Sequence, residues 1–284
     1  MVLSSGLNTR HGLVEAVVKE RFIVNPFTEL ALTEHDHEQL KELANNLIWA
    51  NLDKYTTYQD EKKKGVDPRR WKLWKQRQGI DMYVERQGTA SAGENITCNG
   101  LPGTWGIGNK EGKLDDLMFG LVSPTLEAMR VKASYVDDFS GAAVLDSIVE
   151  PSLDEPSTSP LPQRTWSRTA TIIYVYIDAT GERLAYHLMH SVSFPKTPDL
   201  PNRVRGNMPA LAFWRQVGPN TMELFGTSVM DPGGDVIKMI AVPNMTGVFF
   251  CTLKYAYCGQ MKKLNFMLDK KYAESKQHGG KMSA

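Results

Sequence analysis

Apolar positions along this chain change their period several times, and each change marks an element. From Thr33 the segment TEHDHEQLKELANNLIWANLDKY sets Leu40, Leu43, Leu47, Ala50 and Leu52 at helical spacing. Thr33 with Asp36 makes a capping box, Asp replacing the usual Glu, so a helix is predicted to begin there. The basic loop EKKKGVDPRR ends it. Ile80, Met82 and Val84 then alternate with Asp81, Tyr83 and Glu85, and Gln78-Gly79 supplies a two-residue turn. WKLWKQRQGIDMYVERQ therefore predicts a hairpin. The Gly-rich ITCNGLPGTWGIGNKEG predicts a third strand with an irregular end.

Two short helices are predicted over Leu114–Leu121 and Pro124–Lys132. Asp115 and Asp116 stand side by side at the start of the first. Consecutive helical side chains diverge by about 100°, so the two carboxylates cannot converge on one substrate atom. In a first turn they favour the positive end of the helix dipole, and the pair reads as a helix start. GAAVLDSIVEP predicts a strand, and residues 151–163 predict a Pro/Ser-rich surface loop.

TATIIYVYIDATGERLAYHLMHSVSF predicts a β-hairpin turning at Ala179–Glu182. After the Pro-rich PKTPDLPNRVRGN, two more strands are joined by Gly218-Pro219-Asn220. The longest element is predicted from Pro243 to about Ala273. Met245, Phe249, Leu253, Ala256, Tyr257, Met261, Leu264 and Leu268 form its apolar stripe, and Pro243 suits its first turn. At 1.5 Å per residue it is roughly 45 Å long, so it crosses a sheet or projects from the body. Gly259 in mid-helix costs about 1 kcal/mol relative to Ala and signals close packing or a flexible point. Residues 1–32 read as an N-terminal extension, 33–274 as one folded unit and 275–284 as a flexible tail.

Composition changes this picture little. The 284 residues are 42% hydrophobic, and 33 basic residues against 32 acidic ones give no global pull towards nucleic acid. The basic, Trp-bearing stretch Lys62–Arg77 invites a single-strand-binding reading. Overall neutrality favours a solvated loop leading into a strand with Trp71 and Leu73 packed inward. From Lys254 onwards seven lysines face Asp269 and Glu274, a local net charge of +5. With an apolar stripe opposite, that helix suits transient contact with an anionic membrane surface. A core-packed helix with a solvated outer face is the alternative. No apolar run reaches the roughly 20 residues of a membrane span. Charges break every apolar stretch near the N-terminus, and three cysteines fit a reducing compartment. The expectation is a cytoplasmic protein, peripheral to membranes where the last helix engages them.

Reactive chemistry is sparse. His187 and His190 fall on opposite faces of a strand, and His35 and His37 lie about 200° apart on a helix. Cys251 and Cys258 are two helical turns apart, so no metal site is expected. Gly106-Ile107-Gly108 has Glu111 where a dinucleotide fingerprint needs Gly, and Gly112-Lys113 is followed by Leu114 rather than Ser or Thr. Gly226-Thr227-Ser228-Val229-Met230 lacks the last Gly of a nucleophile elbow. No cofactor is expected. What remains is an interior rich in Tyr, Phe, Met and Trp: either a cavity for a lipid-sized ligand or a filled core.

The order helix, three strands, two short helices, about six strands and a long last helix resembles the helix-grip fold of START lipid-binding domains. WKLWKQRQGIDMYVER resembles the opening hairpin of that family, GKLDDLMFGL the short helix after its third strand, and YVDDFSGAAVLDSI its next strand. IYVYIDATG, YHLMHSV and VRG resemble its central strands, and DPGG the turn before its last helix. The likeness spans roughly residues 34–273 and is nearest to the START-like proteins of oomycetes. Some of those carry a FYVE zinc finger, whose eight ligands this chain cannot supply.

The resemblance implies an α+β helix-grip (START/Bet v 1-like) fold, a curved antiparallel sheet wrapped around a long C-terminal helix. It implies non-catalytic binding of a lipid or other hydrophobic ligand between sheet and helix, with transfer or sensing as its use. Tyr174, Tyr176, Asp178, His187, Met189 and Trp214 would line the sheet side, and Phe249, Leu253, Tyr257 and Met261 the helix side. The hairpin tip at Asp178–Arg183 and the loop 195–201 would move to admit ligand. Two alternatives stand beside this. A helix-grip enzyme would pair Asp178 with His187 as acid and base. An interaction module would have the same core, filled.

Overall fold

Thr33 opens the first helix by the box its sequence predicts. In the computed structural model, α1 (Glu34–Glu61) begins where Thr33 Oγ1 accepts from the Asp36 N–H at 3.2 Å and Asp36 accepts from the Thr33 N–H at 2.8 Å. The Thr33 hydroxyl also donates to the Asp36 carboxylate at 2.7 Å, and this bond first, with that from the Thr33 N–H, holds the Asp36 carboxyl below its usual range. The structure describes residues 32–62, 65–86, 103–123, 126–136, 142–144, 159–161, 163–165, 169–177, 183–192, 194, 206–207, 209–229, 231 and 238–279, with backbone alone over 142–177.

The buried face of α1 differs from the predicted stripe. Ala44, Ile48, Asn51 and Tyr55 are buried, whereas Leu43 and Ala50 are exposed. Aromatic contact sets the rotation: the Tyr55 ring lies 5.3 Å from Phe213 and 5.5 Å from Phe225, and Tyr58 lies 5.2 Å from Phe225. The aliphatic pattern had left both tyrosines out.

Strands β1 (Trp71–Arg77), β2 (Ile80–Glu85), β3 (Thr104–Glu111), β5 (Ser159–Leu161), β7 (Thr169–Ile177), β8 (Arg183–Ser191), β9 (Ala210–Gly218) and β10 (Thr221–Ser228) form one sheet among the described residues. Its order is β1-β2-β3-β10-β9-β8-β7-β5, and every pairing is antiparallel. Gln78 and Gly79 turn the first hairpin with φ of 52° and 81°, the doubly left-handed form that matches strand twist. β4 (Ala142–Val144) pairs with β6 (Gln163–Thr165) as a separate ribbon. β5 falls inside the stretch read as loop and β6 begins at its last residue, where a Pro/Ser-rich composition hides short edge pairing.

Alternation gives the sheet two buried faces. Ile80 and Met82 of β2, Ala185 of β8, Trp214 of β9 and Leu224 of β10 belong to the inner cluster, which faces the C-terminal helix. Leu184, Leu188, Leu211, Phe213 and Phe225 face outward onto α1. The inward packing expected of Leu73 is not found: it is 44% exposed, and Trp71 is half-buried. β1 is one of the two edge strands, with Lys72, Lys75 and Arg77 exposed along it, a charged edge that resists pairing with other chains.

α2 (Leu114–Leu121) and α3 (Leu126–Tyr135) come after β3, the second shifted towards the C-terminus of its predicted span. The last element starts five residues earlier than predicted, at Lys238, so Pro243 lies inside α4 (Lys238–Cys251) on an exposed position. A 3₁₀ turn at Thr252–Lys254 separates it from α5 (Tyr255–Gly279), which extends into the segment read as a tail. Thr252 Oγ1 donates to the Phe249 carbonyl at 2.7 Å, a local bond that competes with the α-helical pattern at the break. The architecture is α+β and helix-grip: an open antiparallel sheet on the long C-terminal helix.

That helix is held by a crossing of two glycines. A Cβ on Gly120 would lie 1.8 Å from the Tyr255 carbonyl oxygen, and one on Gly259 would lie 1.9 Å from that of Asp116. α2 and α5 thus touch backbone to backbone, which explains the mid-helix Gly259. In an ordinary helix Gly259→Ala would add about 1 kcal/mol of stability. Here we expect Gly259→Ala to lower it by about 1–3 kcal/mol through overpacking, read as a reduced urea midpoint. A raised midpoint would contradict the crossing.

Candidate functional site

Phe249 organises the space between sheet and helix. Its ring occupies a notch left by Gly106 of β3 and Gly226 of β10, where added Cβ atoms would lie 2.0 Å and 2.8 Å from the ring. Beside it is a cavity of about 30 Å³, walled by His187 and Met189 of β8, Ala212 of β9, Ser228 of β10, and Met245 and Thr252 of the C-terminal segment. That is room for a water molecule or two, given about 10–15 Å³ for one probe sphere.

His187 is 3% exposed, with its ring edge-on to Tyr255 at 5.8 Å between centroids. Its Nε2 has no hydrogen-bond partner. Burial first, and Lys132 second, push its pKa down to about 3, so the ring is neutral at neutral pH. Such a shift moves it away from the range useful to a general acid–base group at that pH.

Lys132 lies deeper still. Its side chain, 1% exposed on α3, donates to the Leu121 carbonyl at 3.1 Å and stands 4.7 Å over the Tyr255 ring. Burial chiefly, with Lys262 nearby, lowers its pKa to about 7. Burial also pushes up the Tyr255 hydroxyl and the Cys258 thiol. Sequence reasoning missed this polar layer. One signal was available: position 132 lies three after Met129 and four before Val136, both buried, so it shares their helical face.

The two aspartates at the start of α2 do more than begin a helix. Asp115 accepts from Arg183 of β8 at 2.6 Å. Asp116 accepts from Gln260 at 3.1 Å and pairs with Lys263, both on α5. Burial raises the Asp116 pKa, but the bonds from Lys263 and Gln260 outweigh it, and the net direction is down. At the other end of α2, Lys262 Nζ reaches the carbonyls of Phe119 at 3.2 Å and Val122 at 2.6 Å, satisfying acceptors the helix leaves open.

Only some of the residues expected to bind ligand come together. His187, Met189 and Phe249 meet at the cavity. Trp214 and Leu253 are buried in the same inner core. Met261 is half-buried, and Tyr257 is 52% exposed with its ring 5.8 Å from Tyr135. The 3₁₀ turn accounts for Tyr257: three residues at about 120° each, instead of 100°, rotate the next helix by roughly 60°. In β7, Tyr174 pairs with Tyr186 and Tyr176 with Leu184, whereas His187 pairs with Ile173. The side chains of Tyr174 and Tyr176 lie outside the described residues, as do Asp178, the turn 179–182 and the loop 195–201. Among the described residues, no group of three or more His, Cys, Asp or Glu is placed to hold a metal ion. No described helix is long and apolar enough to cross a membrane.

No family model matches the chain, and no curated protein does. Solved structures do show likeness in fold. Human StAR-related lipid transfer protein 5 is similar at 18% identity and a TM-score of 0.49, over 76% of this chain and 97% of that one. Human STARD10 is similar at 11% identity and a TM-score of 0.44, over 87% and 88%. The human StarD13 (DLC2) lipid transfer and protein localization domain is similar at 12% identity and 0.44, over 72% and 95%.

Lys132 makes stability depend on pH. Its folded pKa of about 7 lies below the ordinary lysine value of 10.5, so between these values the unfolded chain binds more protons. Stability then rises with pH across that window. Between pH 7 and 8.5, below the ordinary values of the Cys258 thiol and Tyr255 hydroxyl, urea midpoints should rise in the wild type and rise less in Lys132→Met. Equal slopes would show that Lys132 is charged in the fold.

Proposed function

We propose that this chain binds a lipid or other hydrophobic molecule, without catalysis, between the sheet and its C-terminal helix, in a unit spanning residues 33–274. The observation that carries this reading is the apolar cavity beside Phe249, with the neutral His187, whose Nε2 has no hydrogen-bond partner, in its wall. Apolar burial would drive binding, at about 25 cal/mol per Å², and His187 would orient a polar head. A lipid fits only when Phe249 leaves its glycine notch, so α4 moves away from β3 and β10 as ligand enters. Trp214 and Leu253, in the same core, would join the widened wall.

The C-terminal helix completes the proposal. Tyr257, Leu264, Leu268 and Tyr272 are exposed on α5, at spacings of four to seven residues along one stripe. Lys263, Lys270 and Lys271 are exposed on the same helix. This suits transient contact with an anionic membrane surface by a cytoplasmic protein. Kinship with oomycete START-like proteins belongs to the same reading, and no nucleic-acid partner is part of it. A second reading is favoured by one observation: Phe249 already fills the notch and leaves only about 30 Å³. On that reading the chain is an interaction module with a filled core.

Native mass spectrometry after incubation with a total lipid extract separates the two. The wild type should carry a lipid-mass adduct, and Ala212→Leu, which fills the cavity, should carry at least about tenfold less. No adduct on a protein folded by circular dichroism would overturn lipid binding and support the filled core.

A further inference from the structure

On the opposite face of the sheet, the last turns of α1 stand over β1, β2, β3 and β10 and leave a groove of about 390 Å³. This lies within the roughly 300–1,000 Å³ typical of small-molecule sites. It meets the cavity beside Phe249 at Thr227 and Ser228, the end of β10, but its other walls come mainly from α1, β1, β2 and β3, none of which lines that cavity. Aromatic rings build its walls: Tyr58 of α1, Trp71 of β1, Trp105 of β3 and Phe225 of β10. Trp105 is the hub, with ring centroids 5.6 Å from Tyr58, 5.3 Å from Trp71 and 6.0 Å from Phe225. Its indole Nε1–H is covered from solvent and has no acceptor. A buried donor left without an acceptor is costly and calls for a partner.

Charge around the groove is balanced. Lys54, Lys62 and Arg70 line it together with Asp53, Glu61 and Glu85. Arg70 donates to Glu85 at 2.9 Å, and Lys62 pairs with the buried Glu223. The groove therefore offers no net field to draw an anion or a cation, while its rings favour a flat π-system. We propose that this groove is a second ligand site, taking a flat aromatic molecule of no net charge that carries a hydrogen-bond acceptor. On binding, the Trp105 indole turns so that its covered Nε1–H meets the acceptor, and the ring system packs among Tyr58, Trp71 and Phe225.

Quinoline is a suitable probe, being flat, bicyclic, uncharged at pH 7.5 and equipped with one acceptor nitrogen. Titrated into the ¹⁵N-labelled full chain, it should shift the indole N–H resonances of Trp71 and Trp105. Trp105→Phe keeps a ring but loses the donor, and should weaken binding roughly five-fold, read at Trp71. Thr57→Trp, on an exposed position of the groove wall, should block the shifts. Ala212→Leu, on the inner face, should leave them unchanged. Absence of shifts in the wild type, wild-type affinity in Thr57→Trp, or shifts lost in Ala212→Leu would each overturn the proposal. Wild-type affinity in Trp105→Phe would overturn the acceptor contact.

Discussion

The backbone contact between Gly120 and Gly259 sets the position of almost everything on the inner side of the sheet. Neither helix can slide or roll far at this crossing, because each side of it is a peptide unit rather than a flexible side chain. Polar groups fasten it at both ends. Asp116, in the first turn of α2, binds Gln260 and Lys263, while Lys262 covers the open carbonyls at the last turn. With α5 anchored, the 3₁₀ turn at Thr252–Lys254 determines how α4 meets the sheet. Phe249 thereby arrives at a place where two facing glycines leave space for its ring.

This arrangement divides the C-terminal helix into a fixed part and a part held mainly by apolar contact. α5 is tied through backbone packing and charge-assisted bonds. α4 holds the sheet through Met245, Phe249 and Phe250, contacts without direction that can be exchanged for contacts with a ligand. The α3 layer is different again. Lys132 is buried over the Tyr255 ring with the Leu121 carbonyl as an acceptor, a costly placement that links protonation to packing. The outer face is built on other terms, by aromatic rings under α1, and has its own groove.

Much of this was legible in the chain because local chemistry and tertiary packing agree. The Thr33 box, the Gln78-Gly79 turn, the alternation of β2 and the Leu114–Leu121 helix all obey rules that act within a few residues. Gly259 also announced itself, since a mid-helix glycine is expensive unless something touches it. Where prediction failed, distant partners decided. The rotation of α1 depends on Phe213 and Phe225, far along the chain, and the outward turn of Tyr257 on a three-residue change of helical pitch. Pro243 was read as a helix start because its own preference is local, whereas the helix around it is sustained by packing of Val242, Met245 and Phe249. Lys132 and the Trp105 groove were invisible because lysine and tryptophan patterns do not reveal what lies across a sheet or under a neighbouring helix.

Lipid binding as proposed requires α4 to open against the sheet while the glycine crossing stays closed. Hydrogen–deuterium exchange with and without saturating lipid extract tests this most directly. Amides of residues 242–251 should change their exchange on lipid addition, and those of 255–263 should keep theirs. Exchange that changes across the crossing as much as in α4, or that changes nowhere, would contradict it.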